Sequence, residues 1–206
     1  MILYIHGFGS SAEGTKSKQF REYFKNLGES FIAPLLSYIP ALAIGTLEDI
    51  IEASSEDVKI IGSSLGGFYS MYLAQKYNLK AVLINPSIYP EITLKRAIGH
   101  GMSYYDNSTY EWNLLHVESL KKYKTDKLNQ KNIMLLLQKG DDLLDYKEAE
   151  QFLPDSMMFI EEGGSHNFEG IERYYEKIEA FLKWVWLRKL GTIFVKNWYI
   201  LVYKWH

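Results

Sequence analysis

The sequence contains no cysteine, which excludes disulfide bonds, thiolate metal sites and a cysteine nucleophile. It also lacks an excess of charge of either sign, because 23 basic side chains nearly balance 25 acidic ones and the net charge is −2. This balance gives no electrostatic reason to expect a nucleic acid or an anionic membrane as partner. No run of 18 apolar residues occurs, so we expect neither a transmembrane helix nor stable membrane insertion.

The first residues, MILYIHGFGSS, lack the basic region of a signal peptide and have only a five-residue apolar run, so we expect a cytoplasmic protein. With 206 residues, of which 47% are apolar, the chain is long enough for one domain with a sizeable core. We predict this single domain at residues 1–188. An apolar C-terminal extension follows at residues 189–206, where packing or a homo-oligomer contact is favoured over contact with a membrane surface.

Short apolar runs alternate with amphipathic stretches along most of the chain, which is typical of βαβ units and a parallel sheet. Helices are predicted at residues 16–27 and 42–53 and from the turn near residue 64 to about residue 77. The predicted fold class is α/β, with a doubly wound, mostly parallel open sheet of about six strands. These strands are predicted at residues 1–5, 30–35, 58–61, 81–84, 133–137 and 157–160.

Residues 87–131 interrupt this alternation with about 45 residues in which no strand is predicted. The segment is rich in aromatic residues: Tyr89, Tyr104, Tyr105, Tyr110 and Trp112. A long insertion between sheet strands is typical of a lid or a functional loop. We therefore predict a helical, aromatic, lid-like insertion here.

The pentapeptide Gly62-Ser63-Ser64-Leu65-Gly66 lies between a predicted buried strand and a predicted helix. A nucleophilic serine in this setting occupies a sharp, strained turn that lifts its hydroxyl above the sheet edge. Bulky residues at positions 62 and 66 would collide with the closely packed strand and helix, which explains the two glycines. The pattern predicts Ser64 as a nucleophile, and the alternative is a Gly/Ser-rich turn without a catalytic role.

A serine hydroxyl needs a neighbouring base, and the triad order in this type of fold is serine, acid, histidine. Four histidines follow Ser64: His100, His116, His166 and His206. His166 is the predicted base, because it lies in a Gly-rich turn after the last predicted strand, at the carboxyl edge of the sheet. His116 lies at helical spacing from Trp112 and Leu120 and is interpreted as a packed or capping residue.

The triad acid is expected in the loop after the preceding strand, where three aspartates compete: Asp141, Asp142 and Asp145. The acid must lie in the turn at the strand end and accept the imidazole N–H. Asp141 follows the glycine directly and is the first choice, while Asp142 stays open as an alternative. Asp145 suits the N-cap of the following helix better. A third interpretation makes all three a solvated cluster at the helix start.

An oxyanion hole needs one backbone N–H from the residue after the nucleophile and one from the loop after the first strand. Leu65 is the first candidate donor. The loop His6-Gly7-Phe8-Gly9 provides the second, the Phe8 amide, with Gly7 as a loop glycine. His6 is interpreted as a structural brace of this loop, since no partner at ligand spacing supports a metal site. We expect no cofactor and no metal.

With these residues in place, the chain resembles an α/β-hydrolase and, more narrowly, the small YqiA-type bacterial esterases. The motifs that carry the resemblance follow in order over residues 1–181: HGFGSS, GSSLGG, INPS, GDDLLDY and GGSHNFEGIERYYEKI. The resemblance implies a reduced α/β-hydrolase fold that begins at the strand before the HG turn. It also implies hydrolysis of a small-molecule ester through an acyl-enzyme, and it supports Ser64, Asp141 and His166 by motif position.

Three other functions compete with this prediction. Thioesterases, acyltransferases and peptidases use the same machinery, and a hydrolase fold can also serve as a non-catalytic binding module. A phosphate-binding loop is the third, because residues 9–17 nearly match GxxxxGK[ST]. One extra residue between Gly14 and Lys16 moves the lysine away from the phosphates, which argues against nucleotide hydrolysis. The small domain and aromatic insertion favour an ester with a short or medium acyl chain.

Overall fold

Six parallel strands form the central sheet of the computed structural model, which describes residues 1–103 and 107–183. The six strands are β1 (Ile2–Ile5), β2 (Phe31–Ile32), β3 (Lys59–Ser63), β4 (Ala81–Ile84), β7 (Ile133–Gln138) and β8 (Met157–Glu161). Their order across the sheet is β2-β1-β3-β4-β7-β8, and every neighbouring pair is parallel. This confirms the predicted fold class.

The helices that connect the strands agree with the predicted ones to within two residues at each end where a prediction was made. Within the described residues the α-helices are α1 (Thr15–Asn26), α2 (Pro40–Ala53), α3 (Leu65–Tyr77), α4 (Pro90–Thr93), α5 (Leu114–Ser119), α6 (Tyr146–Phe152) and α7 (Tyr175–Lys183). Short 3₁₀ turns are found at Leu94–Ala97, Leu120–Tyr123, Gln130–Asn132 and Ile171–Tyr174. None of the helices described is long and apolar enough to cross a membrane.

Alternate residues of the buried strands point to opposite faces of the sheet and so contribute to two separate cores. On β1, Leu3 and Ile5 belong to the core covered by α2 and α3. Ile2 and Tyr4 belong to the core covered by α1 and α7. Burial on both faces explains why these strands appear in the sequence as continuous apolar runs rather than as alternating patterns.

Strand β2 is shorter than predicted, with only Phe31–Ile32 paired to β1 instead of residues 30–35. Pro34 has no backbone N–H for the ladder, and its ring also restricts the conformation of Ala33. The apolar run therefore continues past the point where pairing stops. Because β2 lies at the edge of the sheet, the early end leaves the other five strands unchanged.

The prediction of an insertion without strands is wrong, because residues 87–131 contain an antiparallel pair, β5 (Gly99–Met102) and β6 (Thr109–Trp112). The two glycines of β5 give it little intrinsic strand preference. Gly101 lies opposite Tyr110, and a Cβ atom at Gly101 would come within 2.5 Å of the Tyr110 ring. The strand therefore depends on packing under an aromatic side chain of its partner, which periodicity does not reveal.

The predicted C-terminal extension at residues 189–206 and the homo-oligomer contact through it lie outside the described residues. Tyr104 and Tyr105, which belong to the aromatic character of the insertion, also lie outside them. The described part of the domain ends with α7, whose buried residues Ile178, Phe181 and Leu182 close one of the two cores.

Candidate active site

Ser64 lies in a tight turn between β3 and α3 with backbone angles of φ 56° and ψ −121°. A non-glycine residue in this region is strained by an order of 1–3 kcal/mol, so the surrounding structure must hold it in place. The Ser64 N–H donates to the carbonyl of Ile84 at 3.1 Å, and the Ser87 N–H donates to the Ser64 carbonyl at 3.0 Å. The turn is thus fastened to the end of β4.

Gly62 and Gly66 are required by the close approach of neighbouring backbone. A Cβ atom at Gly62 would lie 2.1 Å from the Ser70 hydroxyl oxygen and 2.4 Å from the Gly66 carbonyl oxygen. A Cβ atom at Gly66 would lie 2.0 Å from the carbonyl oxygen of Ile5. The predicted steric reason for both glycines is therefore present in the structure.

Three of the side chains that the sequence singled out form one hydrogen-bonded chain. The Ser64 Oγ lies 3.0 Å from His166 Nε2, and His166 Nδ1 lies 2.8 Å from an oxygen of Asp141. The second oxygen of Asp141 accepts hydrogen bonds from the Leu143 and Leu144 N–H groups, each at 2.9 Å. The Asp141 side chain is 2% exposed, so its buried carboxylate is compensated by three donors.

The structure separates the three competing aspartates. Asp141 contacts His166, whereas Asp142 is exposed and lines the cavity in front of the serine without reaching the imidazole. Asp145 accepts a hydrogen bond from the Lys147 N–H at 3.0 Å and caps α6, as predicted. The three aspartates of this loop therefore have different surroundings, and the sequence alone did not show which of them contacts the histidine.

The loop that carries His166 is held by two buried polar side chains that the sequence analysis did not single out. The Asn85 amide donates to the carbonyls of Ser165 and His166 at 3.0 and 3.2 Å. The Gln138 carbonyl oxygen accepts from the Ser165 and Glu169 N–H groups at 3.1 and 2.9 Å. Asn85 also accepts from the Gln138 N–H at 3.0 Å. The side chains of Asn85 and Gln138 therefore form one connected polar clamp on the His166 loop.

Both side chains of this clamp stand at the end of a strand in the middle of the sheet and are almost completely buried, with Asn85 3% and Gln138 2% exposed. Buried amides without hydrogen bonds are costly, so their position could have indicated a structural role. Nothing in the sequence indicates that the partner is the backbone of the His166 loop.

The predicted oxyanion donors lie beside the serine. Phe8 and Leu65 both line the cavity in front of Ser64, and within the described residues neither backbone N–H has a hydrogen-bond acceptor. The Phe8 ring packs against Trp112 and Tyr110 of β6, with ring centroids 4.8 and 6.0 Å apart. This packing fixes the loop that presents the Phe8 amide. Two unoccupied N–H groups at this place can receive a developing oxyanion.

His6 braces the same loop from behind. Its Nε2 accepts from the Leu36 N–H at 3.2 Å, so Nδ1 carries the proton and donates to the Gly7 carbonyl at 2.9 Å. Burial lowers the pKa of His6, which favours this neutral form. A Cβ atom at Gly7 would lie 3.0 Å from the Cβ of Ser64, so the glycine brings the loop close to the serine.

The other described histidines lie outside this arrangement. His116 forms a capping box with Asn113 at the start of α5 and packs on Trp112, in agreement with the prediction. His100 is exposed on β5, and His206 lies outside the described residues. Within residues 1–103 and 107–183 no three His, Asp or Glu side chains are grouped so that they could hold a metal ion.

A cavity of about 700 Å³ opens in front of Ser64 at the carboxyl ends of the strands. The insertion forms one side of it through the segment from Thr93 to Met102 and through Tyr110. The insertion therefore contributes one side of the candidate active site. The apolar part of its lining consists mainly of Phe8, Leu65, Leu94, Met102, Leu143 and Leu144.

The parallel sheet order, the strained serine between strand and helix, and the facing histidine loop define an α/β-hydrolase fold. Within that class, the chain belongs to the uncharacterised protein family UPF0227, whose family model matches residues 1–183. The resemblance to the α/β-hydrolases and, among them, to the YqiA-type proteins is therefore confirmed.

Relatives in this family are distant in sequence but match along nearly their whole length. A UPF0227 protein of Vibrio cholerae is 26% identical over 186 residues, which covers 88% of this chain and 98% of the relative. A UPF0227 protein of Pectobacterium atrosepticum is 23% identical over 188 residues with the same coverage. The matched part therefore corresponds to nearly the whole of each relative.

Solved structures support the fold at still lower identity. The α/β hydrolase domain-containing protein 10 from mouse superposes with a TM-score of 0.71 at 18% identity, covering 88% of each chain. Est1E from Butyrivibrio proteoclasticus, with ferulic acid bound, has a TM-score of 0.68 at 14% identity and covers 88% of this chain and 87% of its own. At these identities the likeness establishes the fold, and the activity has to be argued from the site.

Proposed function

We propose that this protein is a serine hydrolase that cleaves carboxylic esters of small molecules through an acyl-enzyme. The observation that carries the proposal is the hydrogen-bonded chain from Ser64 Oγ through His166 to the buried carboxylate of Asp141. A serine hydroxyl becomes a nucleophile when a neighbouring imidazole takes its proton, and the carboxylate orients the ring and stabilises its charged form. The strained backbone at Ser64 also suits a residue that has to present its side chain.

In the first half of the proposed reaction, Ser64 Oγ forms a bond to the ester carbonyl carbon while its proton passes to His166 Nε2. The oxyanion of the tetrahedral intermediate is stabilised by the Phe8 and Leu65 N–H groups, each worth on the order of 3 kcal/mol in the barrier. The bond to the leaving oxygen then breaks, and His166 returns the proton to it. In the second half, a water molecule activated by His166 releases the acid and restores the serine.

The dimensions of the cavity support a substrate of modest size. About 700 Å³ lies within the range of small-molecule sites. Aromatic and aliphatic side chains in the lining, such as Phe8 of the loop after β1 and Leu94 of the insertion, suit an apolar group. We therefore propose an ester with a short or medium acyl chain as the substrate.

Labelling with a fluorophosphonate probe tests the proposed nucleophile. We expect the native protein to be labelled, the heat-denatured protein to be unlabelled, and Ser64→Ala to lose the label completely. Ser63→Ala is the matched control, because Ser63 is the adjacent serine and also lines the cavity. A label that persists in Ser64→Ala would contradict the assignment of the nucleophile. No labelling of the folded wild type would favour the non-catalytic binding module.

Substitution of the two adjacent aspartates tests the proposed acid. Asp141→Asn would remove the acceptor that holds the His166 ring, so we expect kcat for p-nitrophenyl butyrate to fall by about 10³–10⁴-fold. Asp142→Asn should change kcat less than about threefold, because Asp142 is exposed and makes no contact with the imidazole. The reverse result would show that Asp142 is the triad acid.

A further inference from the structure

We infer that the ester cleaved at Ser64 carries a free carboxylate, which Lys16 and Arg96 bind inside the cavity. The inference rests on the proposed function and adds a substrate class to it: monoesters of dicarboxylic acids or esters of hydroxy acids. Both classes place one compact anion a few bonds from the scissile ester.

The inference rests on the positions of two cationic side chains, those of Lys16 and Arg96. Lys16, in the first turn of α1, and Arg96, in the insertion, both line the cavity that contains Ser64 and His166. The other charged side chain in its lining is Asp142, which is exposed. Two cations against one exposed carboxylate give the side chains of this lining an excess of positive charge, whereas the protein as a whole has a net charge of −2. The buried carboxylate of Asp141 lies behind His166, outside the lining, and is compensated by its three hydrogen-bond donors.

Each cation is attached to a loop that carries a member of the proposed triad. The Lys16 ammonium donates to the carbonyl of Asn167, the residue after His166, at 2.7 Å. The Arg96 guanidinium donates to the carbonyl of Leu143, two residues after Asp141, at 3.3 Å. Their charges are thereby held on the two loops that surround the reacting ester.

Neither cation has a carboxylate partner within 4.0 Å among residues 1–103 and 107–183. The other two described arginines, Arg21 and Arg173, form ion pairs at 3.0 and 2.8 Å. One carbonyl engages only one of the three N–H groups of an ammonium or the five of a guanidinium. Lys16 and Arg96 therefore retain donors for an anion from outside the chain.

The half-buried position of Lys16 supports the same conclusion. Desolvation lowers the pKa of Lys16 from 10.5 to about 8, so the protonated fraction of the amine decreases as pH rises through about 8. A bound carboxylate compensates this desolvation, which ties recognition of the anion to the protonated form. The charged or titratable groups that share the two adjoining cavities with Lys16 are Tyr4, Glu13, Lys18, Arg96, Tyr110, Asp142, His166, Glu169 and Glu172.

Matched pairs of esters test the inference. One pair carries the anion on the acyl side, mono-p-nitrophenyl glutarate against p-nitrophenyl butyrate. The other carries it on the alcohol side, 4-carboxyphenyl butyrate against phenyl butyrate. The measured quantity is the ratio of kcat/KM for the anionic ester to that for the neutral one, which divides out effects on turnover shared by both. We expect a ratio of at least about tenfold for one pair, and that pair identifies the half of the substrate that carries the charge.

Substitution of the cations then locates the anion. Lys16→Met should lower the ratio by about tenfold or more, and Arg96→Met by a smaller factor because Arg96 is exposed. Lys18→Met is the matched control, since Lys18 pairs with Glu13 at 3.9 Å and lies outside the cavity of Ser64. In the wild type the ratio should fall as pH rises through about 8, because Lys16 loses its proton.

Each outcome decides between the inference and the proposed function. Turnover of neutral esters with a ratio near one in both pairs would overturn the anion site and leave the hydrolase intact. An anion preference that survives both Lys16→Met and Arg96→Met would overturn the assignment of these residues. Absence of both labelling at Ser64 and turnover of every ester would overturn the proposed function and the inference together.

Discussion

The turn that carries Ser64 and the loop that carries His166 face each other across 3.0 Å, but they are held in different ways. The serine turn depends on close backbone packing, in which Gly62 and Gly66 leave no room for a side chain. The histidine loop depends on hydrogen bonds with two buried amide side chains: Asn85 donates to loop carbonyls, and Gln138 accepts from loop N–H groups. One half of the site is thus shaped by steric exclusion and the other by polar contacts.

This difference predicts how each half fails. A steric turn fails when any atom is added, because packed backbone has no low-energy way to move aside. A polar clamp fails when a donor or acceptor is removed, because its buried partners then lose their hydrogen bonds. The clamp therefore responds to removal of a side chain and to pH, whereas the serine turn responds to an added methyl group.

Gly66→Ala should have the largest effect. The added Cβ would lie 2.0 Å from the Ile5 carbonyl oxygen and 2.7 Å from that of His6, both of them backbone atoms. Either β1 or α3 must move, so we expect the free energy of unfolding to fall by about 3 kcal/mol. Fluorophosphonate labelling should fall to the level of Ser64→Ala. Urea denaturation and the rate of labelling measure the two effects.

Gly45→Ala is the control for this change, because a Cβ at Gly45 in α2 meets no atom within 4 Å. Alanine is favoured over glycine inside a helix, so the control should raise stability by about 0.5–1 kcal/mol and leave labelling unchanged. If Gly66→Ala were as stable and as reactive as the wild type, the steric account of the serine turn would be wrong.

Asn85→Gly should have a smaller effect, confined to the histidine loop. Glycine tolerates the φ of 39° at this position, so the change removes the side chain without adding backbone strain. The loss leaves the Gln138 N–H and the His166 carbonyl without a partner, whereas the Ser165 carbonyl still accepts from the Phe168 N–H at 2.9 Å. The free energy of unfolding should therefore fall by about 2 kcal/mol. Displacement of His166 should reduce kcat by tenfold to a hundredfold, on the order expected for a misplacement of about 1 Å.

A residue that only positions His166 should lower kcat far more than it raises KM, and steady-state kinetics separates the two. Asn78→Gly is the matched control, because Asn78 also has a positive φ, of 52°, but is exposed at the end of α3. Glycine is common at this end of a helix, so stability and kcat should both stay near wild type. Equal kinetic effects in the two variants would refute a specific clamp at Asn85.

The same contrast explains how much of the site could be predicted from the sequence. The exclusion of side chains at positions 62 and 66 is a local effect, so five consecutive residues are enough to predict the serine turn. The clamp joins residues far apart in the chain: Asn85 and Ser165 are 80 positions apart. Asp141 and Asp142 could not be separated because the two differ only in the direction of their side chains within one loop. The chain order of a triad predicts which loop carries the acid, but only contacts in the structure show which aspartate faces the histidine.

The fold shows the same division between local and distant causes. The buried strands β1, β3, β4 and β7 were predicted because both of their faces are apolar. The hairpin of β5 and β6 was missed because Gly101 forms a strand only beneath the Tyr110 ring. The intrinsic β-propensity of a residue predicts little where a neighbouring aromatic side chain determines the conformation.

Lowering the pH should destabilise the histidine loop before it destabilises the serine turn. This is the smallest of the predicted effects. Glu161 accepts hydrogen bonds from Gln138 at 2.8 Å and from Arg173 and Tyr174. Burial raises the pKa of this carboxyl, but the hydrogen bonds from Gln138, Arg173 and Tyr174 outweigh burial and hold the pKa below its usual value of 4.5. The stability that a lowered carboxyl pKa contributes is present above pH 4.5 and is lost as pH falls through the pKa of the folded state.

We therefore expect hydrogen-exchange protection of the Ser165 and Glu169 amides, which both donate to Gln138, to fall below pH 4.5 while that of the serine turn persists. A glutamine side chain does not titrate, so in the Glu161→Gln variant the protection of these two amides should no longer depend on pH in this range. Glu162→Gln is the control, because Glu162 is exposed and does not contact Gln138, and it should keep the pH dependence of the wild type. Equal loss of protection in both halves of the site would mean that they open as one unit, and the distinction between the steric turn and the polar clamp would then apply only to substitutions.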